Sequence, residues 1–135
     1  MAALTSDRNT KRRDGKSLSL LMAAATNIHG GSIVCVNSSG NAVPGSTSTT
    51  LKAAGVAKGG KRNPGAAGAE RVEVEKDVFC LGNSASTDAI TLADIGTDCY
   101  IVDDQTVAKT SATNTRSVAG KVFDVDADGV WVDFR

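Results

Sequence analysis

Residues 118–134 read VAGKVFDVDADGVWVDF, two runs in which every second side chain is apolar, set on either side of Asp128-Gly129. Such a step between alternating runs is the strongest short-range signal for a β-hairpin, because the tight turn needs positive φ, which Gly and Asp tolerate. A two-residue loop at Asp128-Gly129 would set Phe123 opposite Phe134 and Val125 opposite Val132, with Val130 on the same face. A four-residue loop over 126–129 keeps that inward set and puts Val125 opposite Val130. A three-residue loop would place each aspartate against a valine, so burial decides the parity. The expected core hairpin is therefore Phe123, Val125, Val130, Val132 and Phe134, with Asp124, Asp126, Trp131 and Asp133 on the other side. In the two-residue register Asp124 would face Asp133, a like-charge pair that costs stability.

Earlier segments must return to cover that face. Residues 32–36 read as a strand that turns at Asn37-Ser38-Ser39-Gly40 into 41–43, with Pro44-Gly45 closing the hairpin. Residues 51–56 form a weaker strand. Residues 70–81 alternate around Val72 and Val74 and then turn fully apolar, which predicts one long strand bent at Lys76-Asp77. Residues 99–102 and 106–108 are two short strands joined at Asp103-Asp104. Residues 18–25 fit a short helix or a strand, the spacing of Leu18, Leu20 and Met22 favouring strand. Residues 91–94 predict one helical turn, capped by Thr91 and ended by Gly96. KGGKRNPGAAG, residues 58–68, reads as a flexible segment, and 110–117 as a polar loop. Short strands punctuated this often indicate an all-β sandwich or barrel. The expected organisation is an extended basic arm over 1–17 and a single β-domain over 18–135.

At 135 residues the chain has the size of one domain. Phe79, Phe123, Phe134, Tyr100 and Trp131 are its whole aromatic supply. Alanine and glycine fill much of the rest, so each segment buries little area against a backbone entropy cost of roughly 1–2 kcal/mol per residue. A core this thin favours association. The net charge is zero, yet residues 1–62 carry nine Lys/Arg against Asp7 and Asp14, a net +7, and the remainder a net −7. That split suits docking onto surfaces of opposite potential.

Little in the sequence points to chemistry. Cys35, Cys80 and Cys99 lie far apart in apolar runs, without a CxxC pair, and His29 is the only histidine. They read as small buried hydrophobes folded in a reducing compartment, and no metal site is expected. Asp124-x-Asp126-x-Asp128-Gly129 matches the start of a calcium loop, but the twelfth position is Arg135 and both flanks have a strand period. The aspartates read as turn formers. Lys58-Gly59-Gly60-Lys61 lacks the order of a phosphate loop. His29, beside Gly30-Gly31, stands in no nucleophile setting, so no catalytic residue and no cofactor is expected. Lys11-Arg12-Arg13 ahead of the apolar run at 18–25 imitates a secretion signal, but the run is short and Asp14-Gly15 replaces the bulky residues of a twin-arginine motif. No run approaches the roughly 20 apolar residues of a membrane span.

The start ALTSDRNTKRRDG, the strand GSIVCVNSSGNAVPG, and ADIGTDCYIVDDQTVAKT followed by SVAGKVFDVDADGVWVDF resemble the small capsid decoration, or cement, proteins of tailed phages and prophages. That resemblance implies a compact β-sandwich or barrel-like, tulip-type domain with an N-terminal arm and at most one short helix. It also implies a homotrimer bound between capsomers of the major capsid protein, assembled in the host cytoplasm and carried on the virion. On it, Arg8, Lys11, Arg12, Arg13 and Lys16 become the expected capsid contacts. Two further readings stay open. One is a nucleic-acid-binding module using the arm and the 58–63 loop, against which the scarcity of stacking aromatics counts. The other is a tail-tube or head-completion protein.

Overall fold

A computed structural model of the chain describes residues 2–135 and is all-β. In chain order the strands are β1 (Ser17–Leu21), β2 (Thr26–Ile28), β3 (Ile33–Val36), β4 (Ala42–Pro44), β5 (Lys52–Ala57), β6 (Lys61–Asn63), β7 (Arg71–Glu75), β8 (Val78–Asn83), β9 (Asp98–Ile101), β10 (Thr106–Ala108), β11 (Val118–Asp126) and β12 (Gly129–Asp133). Strands β1-β7-β5-β3-β4 make an antiparallel open sheet, and β10-β8-β12-β11-β9 close into a five-stranded barrel whose one parallel pair is β8/β10. A ribbon of β2 and β6 completes the domain.

The open sheet is apolar on both faces where it is covered. Ile33, Cys35 and Val56 join the barrel lining, which includes Leu81, Ile101, Val107, Val122, Val130, Val132 and Phe134. On the opposite face Val34, Ala54, Val72 and Val74 close over Met22 and Ile28. That double burial explains why β3 is an unbroken apolar run, while β7, with one face in water, alternates buried Val72 and Val74 with exposed Arg71 and Glu73.

The terminal hairpin forms, in a register related to the second of the two expected loops. Val125 pairs with Val130 and Asp126 with Gly129, leaving Ala127 and Asp128 as the loop. Val130, Val132 and Phe134 are buried, as the parity requires, and Val125 is half-buried against the same core. Phe123 does not follow. The register slips by one residue between Val122 and Asp124, a β-bulge that gives Val122 the inward position and leaves Phe123 55% exposed. The same slip sets Asp133 opposite Lys121 and Asp124 opposite Trp131, so the anticipated pair of facing carboxylates does not arise. Gly129, at φ +144, lies so close to β8 that a Cβ there would collide with the carbonyl oxygen of Leu81.

Two other expectations are corrected. The stretch read as one bent strand is two strands in different sheets: β7 ends the open sheet at Glu75, and β8 begins the barrel at Val78. The segment read as flexible contains β6, whose last residue, Asn63, is buried. The side-chain amide of Asn63 donates to the carbonyls of Ala23 and Ala66, both at 2.9 Å, and its oxygen accepts the N–H of Gly65 at 3.1 Å. Asn63 thereby ties the turn at 63–66 to the end of the segment that follows β1, with its own buried amide fully partnered. The all-β expectation holds: the helical content is two single 3₁₀ turns, Ser86–Asp88 and Leu92–Asp94. The second carries the expected cap, with the Asp94 carboxylate accepting the Thr91 N–H at 2.8 Å.

In urea unfolding, Phe134→Ala is expected to cost about 3–5 kcal/mol, the usual result of emptying a core aromatic site. Phe123→Ser should stay within about 0.5 kcal/mol of the parent, as exposed substitutions do. Equal losses at the two positions would contradict the bulge.

Candidate assembly interface

With no catalytic constellation expected, the surface is where function has to be sought. Ser17 already belongs to β1, so the arm ends at Lys16, one residue earlier than expected, and every described residue in it, 2–16, is exposed. Among the described residues it is anchored at its base. The N–H of Lys76 donates to the Lys16 carbonyl at 2.7 Å, and the Lys16 ammonium lies 3.4 Å from the Asp77 carboxylate. Asp77 is held below the usual carboxylate range first by the N–H of Val78 and then by Lys16. Arg8, Lys11, Arg12 and Arg13 form no ion pair among the described residues. Of the five cations expected to act together, the structure ties Lys16 to the body and leaves the other four free on the arm.

The basic loop behaves differently. Lys58 lies 3.6 Å from Glu75 and Lys61 3.2 Å from Glu70, so two of the loop's three cations are matched locally by carboxylates of β7 and its approach. Arg62 is exposed. Such surface pairs add little stability, but they cancel much of the field that would attract a phosphate backbone.

The bulge creates a feature that hydrophobic periodicity does not anticipate. Val122 accepts from the N–H of Gly96 and donates to the carbonyl of Thr97, both at 2.9 Å, which brings Phe123 alongside Ile95. Leu92 opens the 3₁₀ turn and Ile95 caps its end, donating its N–H to the Leu92 carbonyl at 3.4 Å, so the two residues lie one above the other across a single turn. Leu92 is 65% exposed, Ile95 46% and Phe123 55%, making an apolar patch on the outside of the barrel. Beside it runs the acidic end of the hairpin, Asp124, Asp126 and Asp128. The nearest sequence signal was Thr91 to Gly96, a capped turn whose two large apolar residues had no buried partner to face.

The aspartates act within the turn. Asp126 accepts the Trp131 indole N–H at 2.8 Å and the N–H of Asp128 at 2.9 Å, and these two bonds, in that order, hold its carboxyl below the usual range. Arg135 makes a forked pair with Asp133, 3.1 Å at each bond, which depresses Asp133 likewise. Among the described residues no three His, Cys, Asp or Glu side chains converge as metal ligands would. His29 is exposed. Burial pushes the thiols of Cys35 and Cys99 up to about 12, so neither is a nucleophile near neutrality. Among the described residues no helix is long and apolar enough to cross a membrane.

A second built feature stands on the barrel. Asp88 accepts from the Thr110 hydroxyl at 2.6 Å and from the Arg116 guanidinium at 3.2 Å, and these contacts lower its pKa. Arg116 also donates to the Thr110 carbonyl at 3.1 Å. The clamp holds an exposed tip in which Ala112, Thr113 and Asn114 all adopt left-handed φ, +50, +60 and +62. No family model, no characterised protein and no solved structure matches this chain.

Asp77, Asp88, Asp126 and Asp133 all have depressed pKa values in the folded chain. Their contribution is complete above the unfolded aspartate value of about 3.9 and disappears as pH falls through the lower folded values. Melting temperature should therefore be flat from neutrality to about pH 5 and drop below about pH 4. A fall centred above pH 6 would contradict these assignments. Thiol labelling gives an independent check: at pH 8 the native protein should react at Cys80 alone, slowly, and at Cys35 and Cys99 only after unfolding.

Proposed function

We propose that this protein is a structural capsid decoration protein, which binds the outer surface of a phage head between capsomers and stabilises the shell. In this reading the β-domain forms a homotrimer, assembled in the host cytoplasm and carried on the virion. Arg8, Lys11, Arg12 and Arg13 reach from the arm across neighbouring subunits of the major capsid protein. The observation that supports it most is the arm itself, exposed from end to end, with four cations that find no partner among the described residues of the body. An arm that is of no use to its own domain makes physical sense as a contact for something else.

Such a protein works by covering seams. A standard contact removes on the order of 800 Å² per partner from water, and repetition over a lattice turns modest single affinities into firm attachment. The exposed patch at Leu92, Ile95 and Phe123 adds apolar area that a lone domain leaves in water. The local pairing of Lys58 and Lys61 weighs against the nucleic-acid reading of the 58–63 loop.

Deleting residues 2–16 is expected to leave a folded domain, since β1 keeps its pairing with β7, while abolishing cosedimentation with purified empty phage shells. Undiminished binding of the truncated protein would refute the arm's role. Failure of the intact protein to sediment with any such shell would refute the function.

A further inference from the structure

The same face of the barrel that carries the apolar patch also carries the hairpin carboxylates, and the chain owns a segment of opposite character. Residues 2–16 hold Arg8, Lys11, Arg12, Arg13 and Lys16 against Asp7 and Asp14, a net +3. Asp124, Asp126 and Asp128, which follow Phe123 in the chain toward the hairpin tip, supply three negative charges. Ahead of its cations the arm carries one large apolar side chain, Leu4, which is 70% exposed. Extended, Leu4 stands about 13 Å from Arg8, and Phe123 about 10 Å along the strand from Asp126, the last residue of β11, so an apolar contact and a charge contact fall at similar spacings.

We propose that the tip of the arm, around Leu4, docks on the Leu92, Ile95 and Phe123 patch of a second copy of this chain, with Arg8 against that copy's hairpin carboxylates. Reach permits it. The arm spans up to about 50 Å when extended, more than the roughly 35–40 Å width of a domain this size. In the structure the arm leaves its own body at the Lys16 anchor, and among the described residues no hydrogen bond or ion pair ties residues 2–15 to that body. The contact joins two different surfaces, so copies link head to tail, and three of them close into a ring if the rotation between neighbours allows it. Lys11, Arg12 and Arg13, between tip and anchor, stay available to a shell. This deepens the assembly reading by naming what the arm's end holds. Because its test uses no shell, the two fail separately.

The test is sedimentation equilibrium of the full-length protein, alone and as the variants Leu4→Ser and Phe123→Ser. Both positions are exposed, so circular dichroism and melting should be unchanged. The parent is expected to associate reversibly, and each variant to raise the dissociation constant at least about tenfold, the consequence of losing one buried large side chain. The double variant should be little worse than either single one, because the two side chains share one contact. A photo-cross-linking residue placed at position 4 should join peptides of two chains, at twice the monomer mass. A parent that is monomeric at 100 µM, to order of magnitude a high concentration for a specific contact, would overturn the proposal. So would variants that associate as the parent does, or cross-links found only within one chain.

Discussion

Phe134 packs against Phe79 with ring centroids 6.3 Å apart and the planes tilted by 54°, and the rest of the architecture converges on that contact. The N–H of Phe134 donates to the carbonyl of Asp77 at 3.0 Å, in the two-residue passage between β7 and β8. The Lys76 ammonium reaches the Phe134 carbonyl, and Lys16 pairs with Asp77 at the root of the arm. One end of the barrel therefore ties together the last strand, the crossing from open sheet to barrel, and the departure of the arm. Moving any one of them displaces the other two, and the edge-inclined aromatic pair stabilises the junction beyond its buried area.

From that junction the two cores take their different shapes. The barrel has few large side chains to fill it, and it succeeds by being narrow: five strands, lined by valine, isoleucine and cysteine, closed so that no edge is left to pair. Gly129 permits part of this closeness, since β12 passes β8 at a distance that excludes a side chain. The open sheet is filled from its other side by Met22 and Ile28, brought in by the turn that Asn63 holds together. The small core inferred from composition is thus split into two thinner ones, and large apolar residues such as Leu92 and Phe123 are left over on the outside.

What could be read in advance follows the range of the interactions involved. The inward positions of β12 were legible, because alternation is local and burial of one face leaves a single parity. The cap at Thr91 and the turn at Asn37 were legible for the same reason. Phe123 departs from the alternation because a bulge is decided by pairing with the partner strand: Val122 takes the inward position, and nothing within 118–134 announces that. Residues 58–68 looked loose because their glycines and proline were visible, while the anchoring of Asn63 depends on carbonyls forty residues earlier in the chain. Lys76-Asp77 was recognised as a bend, but its role as the passage between two sheets rests on long-range pairing. Of the candidate surface, the arm and its cations could be seen at once. The apolar patch could not, since it exists only where the bulge brings β11 beside the Leu92–Asp94 turn.

Taken together, the two cores and a cationic arm whose Arg8, Lys11, Arg12 and Arg13 form no ion pair among the described residues fit the proposed action by contact. Residue-resolved amide hydrogen exchange on the isolated chain, dilute enough to be monomeric, tests this directly. The account predicts that amides of β11 and β12 exchange only through global unfolding, while those of residues 2–15 exchange as fast as in an unstructured peptide. Slow exchange along the arm of a lone monomer would show it seated on its own domain, and would contradict a segment reserved for other molecules.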